Sequence, residues 1–189
     1  GRPQPVAVEM PLDQLAKVCN VVLPDPASAY PRPPVDEDAV AATAKLLAGA
    51  KSPIIFVGSG ALACGEALQN VAEMLQAPVI SNRTGKGILS SRHYLSLSQF
   101  VGHRLRAEAD VVLAVGSRPQ PPRMNRGTDD GLKTIHIDID PVEIQRIGGA
   151  DLEIVGDARD VVPVLEAALG GLASKRQSRK DKMTALNNE

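Results

Sequence analysis

The stretch TIHIDIDPVEIQR (residues 134–146) runs from strand-like apolar residues into two aspartates, a proline and a helical pattern. Carboxylates in that place could serve as acid and base, hold a metal, accept the hydroxyls of a ribose or cap the next helix. Asp138 and Asp140 alternate with Ile137 and Ile139 and so point to one face. Asp140, directly before Pro141, suits the N-cap of PVEIQR with proline at the first helical position. Asp138 has no capping role, which makes it the better candidate for a ribose or adenine contact.

Three other strand-like stretches end in residues of the same kind. FVGSGALACG (56–65) offers Gly58, Ser59 and Gly60, and with Ala63 it satisfies G-x-G-x-x-G/A between a strand and a helix. Such glycines let a phosphate approach backbone N–H groups, and a tight turn needs them equally without any ligand. VGSR (115–118) supplies Gly116, Ser117 and Arg118, where the arginine could meet a phosphate, stack on a ring or simply lie on the surface. VGDA (155–158) supplies Gly156, Asp157 and Ala158, where the aspartate could touch a ligand edge or make a turn. The acid that would hold an NAD ribose about 20 residues after the glycines is absent. SNRTGKG (81–87) stands there with Arg83 and Lys86, which leaves an NADP reading through Arg83 as the alternative.

Other chemistry finds little support. No Ser/His/Asp or Cys/His set is visible, and His93, His103 and His136 have no carboxylate or cysteine at a spacing that suggests a metal. His136 reads as an ordinary half-buried strand residue. Cys19 and Cys64 are too few for a disulfide framework or a zinc module, and Cys64 falls where small residues pack after the glycine turn. The 21 basic and 22 acidic residues nearly cancel, so no global field draws nucleic acid or an anionic membrane. Two Phe, two Tyr and no Trp offer no base-stacking platform. Without a spanning apolar run or a signal peptide at GRPQPV, the expectation is a soluble cytoplasmic protein.

The elements that must position these residues follow from periodicity. PIIFVG (53–58), PVIS (78–81), DVVLAVG (110–116), KTIHIDI (133–139) and LEIV (152–155) are short, β-branched and apolar on both faces, as buried parallel strands are. Helical stretches at 61–76 and 98–108 lie between them, and DEDAVAATAKLLAGA, from Asp36, forms a helix with Gly49 at its C-cap. The expected architecture is α/β, a Rossmann-like open and mostly parallel sheet with helices on both faces. Ligands of such sheets bind outside the carboxyl ends of the strands, which is where all the candidate residues lie. In the last helix, Pro163 is best tolerated in the first turn, which places the start near Asp160 and leaves Asp157 at the strand end. Three segments result: 1–35, a short strand at PVAVEMPL (5–12) plus a proline-rich linker; 36–170, the sheet domain; and 171–189, a polar basic tail that frays or links onward.

Linker, PIIFVGSGA, LQAPVISNRTGKG, ADVVLAVGSR, TIHIDIDPVEI and IVGDARDVVPVLEAAL, in that order, resemble the central domain of thiamine diphosphate-dependent enzymes of the acetolactate synthase, benzoylformate decarboxylase and pyruvate oxidase type. GRPQPVAVEMPLD is similar to the segment that closes their preceding pyrimidine-binding domain. The resemblance implies an NAD/FAD-binding fold of the DHS-like type. It also implies a parent 2-oxo acid lyase or synthase that uses thiamine diphosphate and magnesium at sites in the two other domains of the same chain, and forms homo-oligomers. The fragment itself is then expected to scaffold those domains without catalysis of its own. In flavin-containing members FAD, or in one branch ADP, is held by the loops that match Gly58, Ser59, Gly60, Gly116, Ser117, Arg118, Asp138, Gly156, Asp157 and Ala158. The chain departs from the synthase-type flavin binders at SQFVGH (98–103) and at PQPPR (119–123), so a retained fold without ligand is the competing expectation. Gly156-Asp157-Ala158 with Asn187-Asn188 imitates the magnesium motif, but the third glycine is missing and the spacer is wrong. A free-standing NADP-binding oxidoreductase or regulator is the rival from another class. A sirtuin-like deacylase would need a four-cysteine zinc module that two cysteines cannot build.

Overall fold

The structure, a computed structural model, describes residues 2, 5–26, 31–118, 131–146, 148–172 and 176–187; PQPPR lies outside them. Among the described residues, six parallel strands form one sheet: β1 (Pro53–Val57), β2 (Val79–Ser81), β3 (Ser96–Leu97), β4 (Val111–Val115), β5 (Lys133–Asp138) and β6 (Leu152–Val155). Their order is β3-β2-β1-β4-β5-β6. The chain therefore leaves β1 in one direction and returns to its other side at β4, which is the switch point of a doubly wound fold. Five of the strands coincide with the apolar runs. The two-residue β3 has no apolar run and shows itself only through its parallel pairing with β2.

Seven α-helices accompany the sheet among the described residues: α1 (Leu12–Leu15), α2 (Glu37–Gly49), α3 (Gly65–Leu75), α4 (Gln99–Leu105), α5 (Pro141–Gln145), α6 (Ala158–Gly170) and α7 (Lys180–Asn187). Helix α2 starts because Asp36 caps it, Oδ1 accepting the Ala39 N–H at 3.0 Å, and it buries Val40, Ala44 and Leu47. Helix α3 buries Leu68, Val71, Ala72 and Leu75, an i, i+3, i+4, i+7 stripe. Helix α6 packs against both α2 and α3. The β1-α3-β2 and β5-α5-β6 crossovers advance in opposite directions across the sheet, so their right-handedness puts α3 and α5 on opposite faces. The core between is built almost wholly of Val, Ile, Leu and Ala. No helix among the described residues is long and apolar enough to cross a membrane.

Several expectations are corrected. Residues 5–12 form no strand: Val6 and Val8 are 86% and 84% exposed, and no described strand pairs with them. Gly49 is the last residue of α2, not a left-handed cap; the cap is Ala50 in extended conformation. Helix α6 begins at Ala158, capped by Asp157, whose carboxylate accepts the Arg159 N–H at 2.9 Å. Pro163 thus sits in the second turn, and because it is exposed, the carbonyl it leaves without an N–H partner can turn to water. Residues 176–187 of the tail pack on the domain. Helix α7 buries Met183 completely, Arg176 donates to the Leu47 and Ala48 carbonyls at the end of α2, and Asn187 donates to the Ser96 carbonyl on β3.

Candidate functional site

The strand ends on either side of the switch point carry the two glycine loops, and these interlock. Gly116 has φ +52°, and a Cβ there would lie 2.5 Å from Gly60 backbone atoms. A Cβ on Gly60 would lie 2.7 Å from the Gly116 Cα, and one on Gly58 would run into the Gly116 carbonyl. Gly85, from the loop after β2, meets the Val57 carbonyl in the same way, with a Cβ at 2.6 Å. Three loops therefore touch backbone to backbone, which no side-chain-bearing residue permits. The bareness of Gly58 serves this packing, and the chain then makes a 3-10 turn (Ser59–Cys64) before α3, where the sequence pattern suggested an uninterrupted helix.

Over these loops lies a cleft of about 850 Å³. Nine of the ten candidate residues line it: Ser59 and Gly60, Gly116, Ser117 and Arg118, Asp138, and Gly156, Asp157 and Ala158. Gly58 does not line it and serves in the packing beneath. Asn82 and Thr84 also line the cleft, whereas their neighbour Arg83 does not. Asn82 folds its own loop, its carbonyl oxygen accepting the Thr84 and Gly85 N–H groups at 3.0 and 2.8 Å. An Asx turn directly after a strand was the signal for it.

Asp138 and Asp140 take separate places, and the expected cap is found at Asp140. Asp140 caps α5, accepting the Val142 N–H at 3.1 Å, with Pro141 at the first helical position. Asp138 lies on the cleft wall at 2% exposure. Arg2 grips it, Nε donating to Oδ1 at 3.1 Å and Nη2 to Oδ2. Burial alone would raise the Asp138 carboxyl; the His136 ring, the Arg2 guanidinium and the Asp140 N–H outweigh it and lower it to about 2. Arg2, which lines the same cleft, escaped the sequence reading because nothing local ties residue 2 to residue 138.

His136 is not half-buried but 2% exposed, with Nε2 2.9 Å from the Ser117 carbonyl and 3.7 Å from Asp138 Oδ2. Glu143, in the first turn of α5, draws three arginines together: Arg118 at 2.8 Å, Arg146 at 3.0 Å and Arg2 at 3.9 Å. The Arg118 side chain is thus engaged at the mouth of the cleft. Asp157 both lines the cleft and caps α6. Cys64 is packed away, its thiol donating to the Ala61 carbonyl at 3.2 Å, and burial with the nearby Asp157 charge pushes it up to about 11.

Bare backbone, hydroxyls and guanidinium groups around one buried carboxylate suit a phosphate-bearing ligand with a diol. Among the described residues that line the cleft, no serine hydroxyl is hydrogen-bonded to a histidine or a carboxylate. Among the described residues no three His, Cys, Asp or Glu side chains come together to hold a metal ion. Asp157 follows β6 at one edge of the sheet while Asn187 bonds β3 at the other, so the imitation of the magnesium motif does not assemble.

Comparison with known proteins converges on one family. Residues 40–165 match the thiamine pyrophosphate enzyme central domain. The chain is 33% identical over 184 residues to acetolactate synthase of Mycobacterium leprae, covering 89% of this chain and 29% of the relative. It is 32% identical over 177 residues to the large subunit of acetolactate synthase isozyme 3 of Escherichia coli, covering 86% and 31%. A solved structure from Mycobacterium smegmatis, assigned to the thiamin diphosphate-dependent enzymes, superposes with a TM-score of 0.64 at 20% identity, covering 81% of this chain and 31% of that one, and supports the fold. The chain spans about a third of the length of the curated relatives it matches. With the family's domain matched across the whole sheet, the chain belongs to the thiamine pyrophosphate enzymes, of which it carries the central domain.

Proposed function

We propose that the chain is the middle of a longer, acetolactate synthase-like enzyme that acts on 2-oxo acids, and that its cleft holds an adenine nucleotide, FAD or ADP. In this reading residues 1–35 are the end of a pyrimidine-binding domain plus linker, 36–170 the central domain, and 171–189 the start of the link to a diphosphate-binding domain. The central domain scaffolds its neighbours within a cytoplasmic homo-oligomer. Thiamine diphosphate and magnesium belong to those neighbours.

The observation that carries the nucleotide reading is the placement of Asp138. A buried carboxylate stands at the end of β5, beside glycine loops that meet at the switch point of the sheet. There a ribose diol can take the place of Arg2 on the carboxylate while a diphosphate lies along the backbone of the Ser59–Gly60 and Gly116–Ser117 loops. The rival NADP reading needs Arg83 at the phosphate, and Arg83 does not line the cleft.

Thermal unfolding with FAD, ADP, NADP and no ligand, beside the Asp138→Ala variant, tests it. A nucleotide at 100 times its dissociation constant stabilises by about 2.7 kcal/mol, a shift of several degrees. The expected result is a shift with FAD or ADP that disappears in the variant. No shift with either would leave a scaffold whose glycine loops only pack. The scaffold reading also expects no carbon dioxide release from 2-oxo acids when the 189-residue chain is supplied with thiamine diphosphate and magnesium.

A further inference from the structure

His136 is a polar ring in an apolar strand. It pairs in register with Ala114 on β4 and Glu153 on β6, between the buried Ile135 and Ile137. An imidazole so placed costs free energy unless it is hydrogen-bonded. Its Nε2 lies 2.9 Å from the Ser117 carbonyl oxygen. That oxygen can only accept, so Nε2 carries the hydrogen and donates it.

The bond fixes more than a carbonyl. The Ser117 C=O and the Arg118 N–H belong to one planar trans peptide unit and point in opposite directions. With the carbonyl drawn onto His136 in the core, the Arg118 N–H faces away from it. The turn is held from the other side by Gly116, at φ +52° against Gly60. One imidazole and one pair of glycines therefore orient the Gly116–Ser117 backbone, and the same ring stands 3.7 Å from the Asp138 carboxylate.

We propose that His136 is a positioning residue of the cleft: its hydrogen bond to the Ser117 carbonyl turns the Ser117–Arg118 peptide so that the Arg118 N–H is presented to a phosphate oxygen of the bound nucleotide. The inference rests on the nucleotide reading above and adds to it a residue that never touches the ligand.

The test is ADP binding by titration calorimetry to the 189-residue chain as wild type, His136→Gln and His136→Met, with the melting temperature of each. Glutamine keeps an N–H that can reach the carbonyl; methionine keeps the bulk without a donor. Both variants should melt lower, but only methionine should weaken ADP binding, by about tenfold or more for a lost hydrogen bond at a charged ligand. Glutamine should stay within about threefold of wild type. Methionine within threefold of wild type, or glutamine no better than methionine, would overturn the positioning role and leave His136 as core packing. A wild-type chain that binds neither ADP nor FAD would overturn the nucleotide reading and the inference with it, and that outcome is seen before any variant is examined.

Discussion

The Arg2 guanidinium closes on the Asp138 carboxylate across 136 residues of sequence, Nε donating to Oδ1 at 3.1 Å and Nη2 to Oδ2. Such a two-pronged pair on a side chain that is 1% exposed holds Arg2 against the wall of the cleft. Together with the His136 ring and the Asp140 N–H, it keeps the buried carboxylate charged.

The pair makes stability depend on acid. Asp138 has its ordinary value of 3.8 in the unfolded chain and about 2 when folded, so it binds a proton more readily unfolded. Its contribution is therefore full above the unfolded value and is lost as pH falls through about 2. The gap corresponds to roughly 2 kcal/mol. Urea unfolding of wild type and Asp138→Asn between pH 6 and 2 should show the wild type losing about that much more than the variant. Parallel pH profiles would mean that His136, Arg2 and the Asp140 N–H do not hold the carboxylate below its ordinary value in solution.

Glycines of equal composition should respond with opposite sign. Gly116→Ala puts a Cβ 2.5 Å from Gly60 at a positive φ, so it should destabilise by about 2 kcal/mol or more. Gly49→Ala meets nothing within 4 Å at the end of α2 and should stabilise by about 0.5–1 kcal/mol. Chemical unfolding midpoints of the two variants decide it. A neutral Gly116→Ala would show that the interlocked loops can give way.

What could be read from sequence divides along local and non-local causes. The strands of the switch point were legible because double-sided burial writes itself as unbroken Val, Ile and Leu, and the Asp140 cap because an acid beside a proline has only a local role to play. Candidate loops followed from the strand ends. Arg2, the depth of His136 and the packing of Met183 were not legible, since each depends on a partner far away in sequence. Pro163 misled for a related reason: its local penalty argued for a later helix start, and the Asp157 cap together with solvent access to the freed carbonyl outweighed it.

The two thiols should differ sharply in reactivity. Cys19 is exposed, whereas Cys64 is 5% exposed and pushed up to about 11. Since the thiolate is the reactive form, an aromatic disulfide reagent at pH 8 should titrate one thiol at once and the second only on unfolding. Rapid modification of both would mean that the turn after β1 opens readily.

The last helix gives the sharpest contrast between composition and packing. Its sequence is charged and polar, yet Met183 is fully buried against the core, while Lys182 pairs with Glu108 at 2.5 Å and Arg176 holds the end of α2. Deleting a buried methionine side chain leaves a cavity, so Met183→Ala should cost about 2–4 kcal/mol. Lys182→Ala, at an exposed pair, should change stability by less than about 1 kcal/mol. Both are measured by urea unfolding of the 189-residue chain. If Met183→Ala were as mild as Lys182→Ala, the tail would be a loose extension, and the carbonyls at the end of α2 would rely on water instead of Arg176.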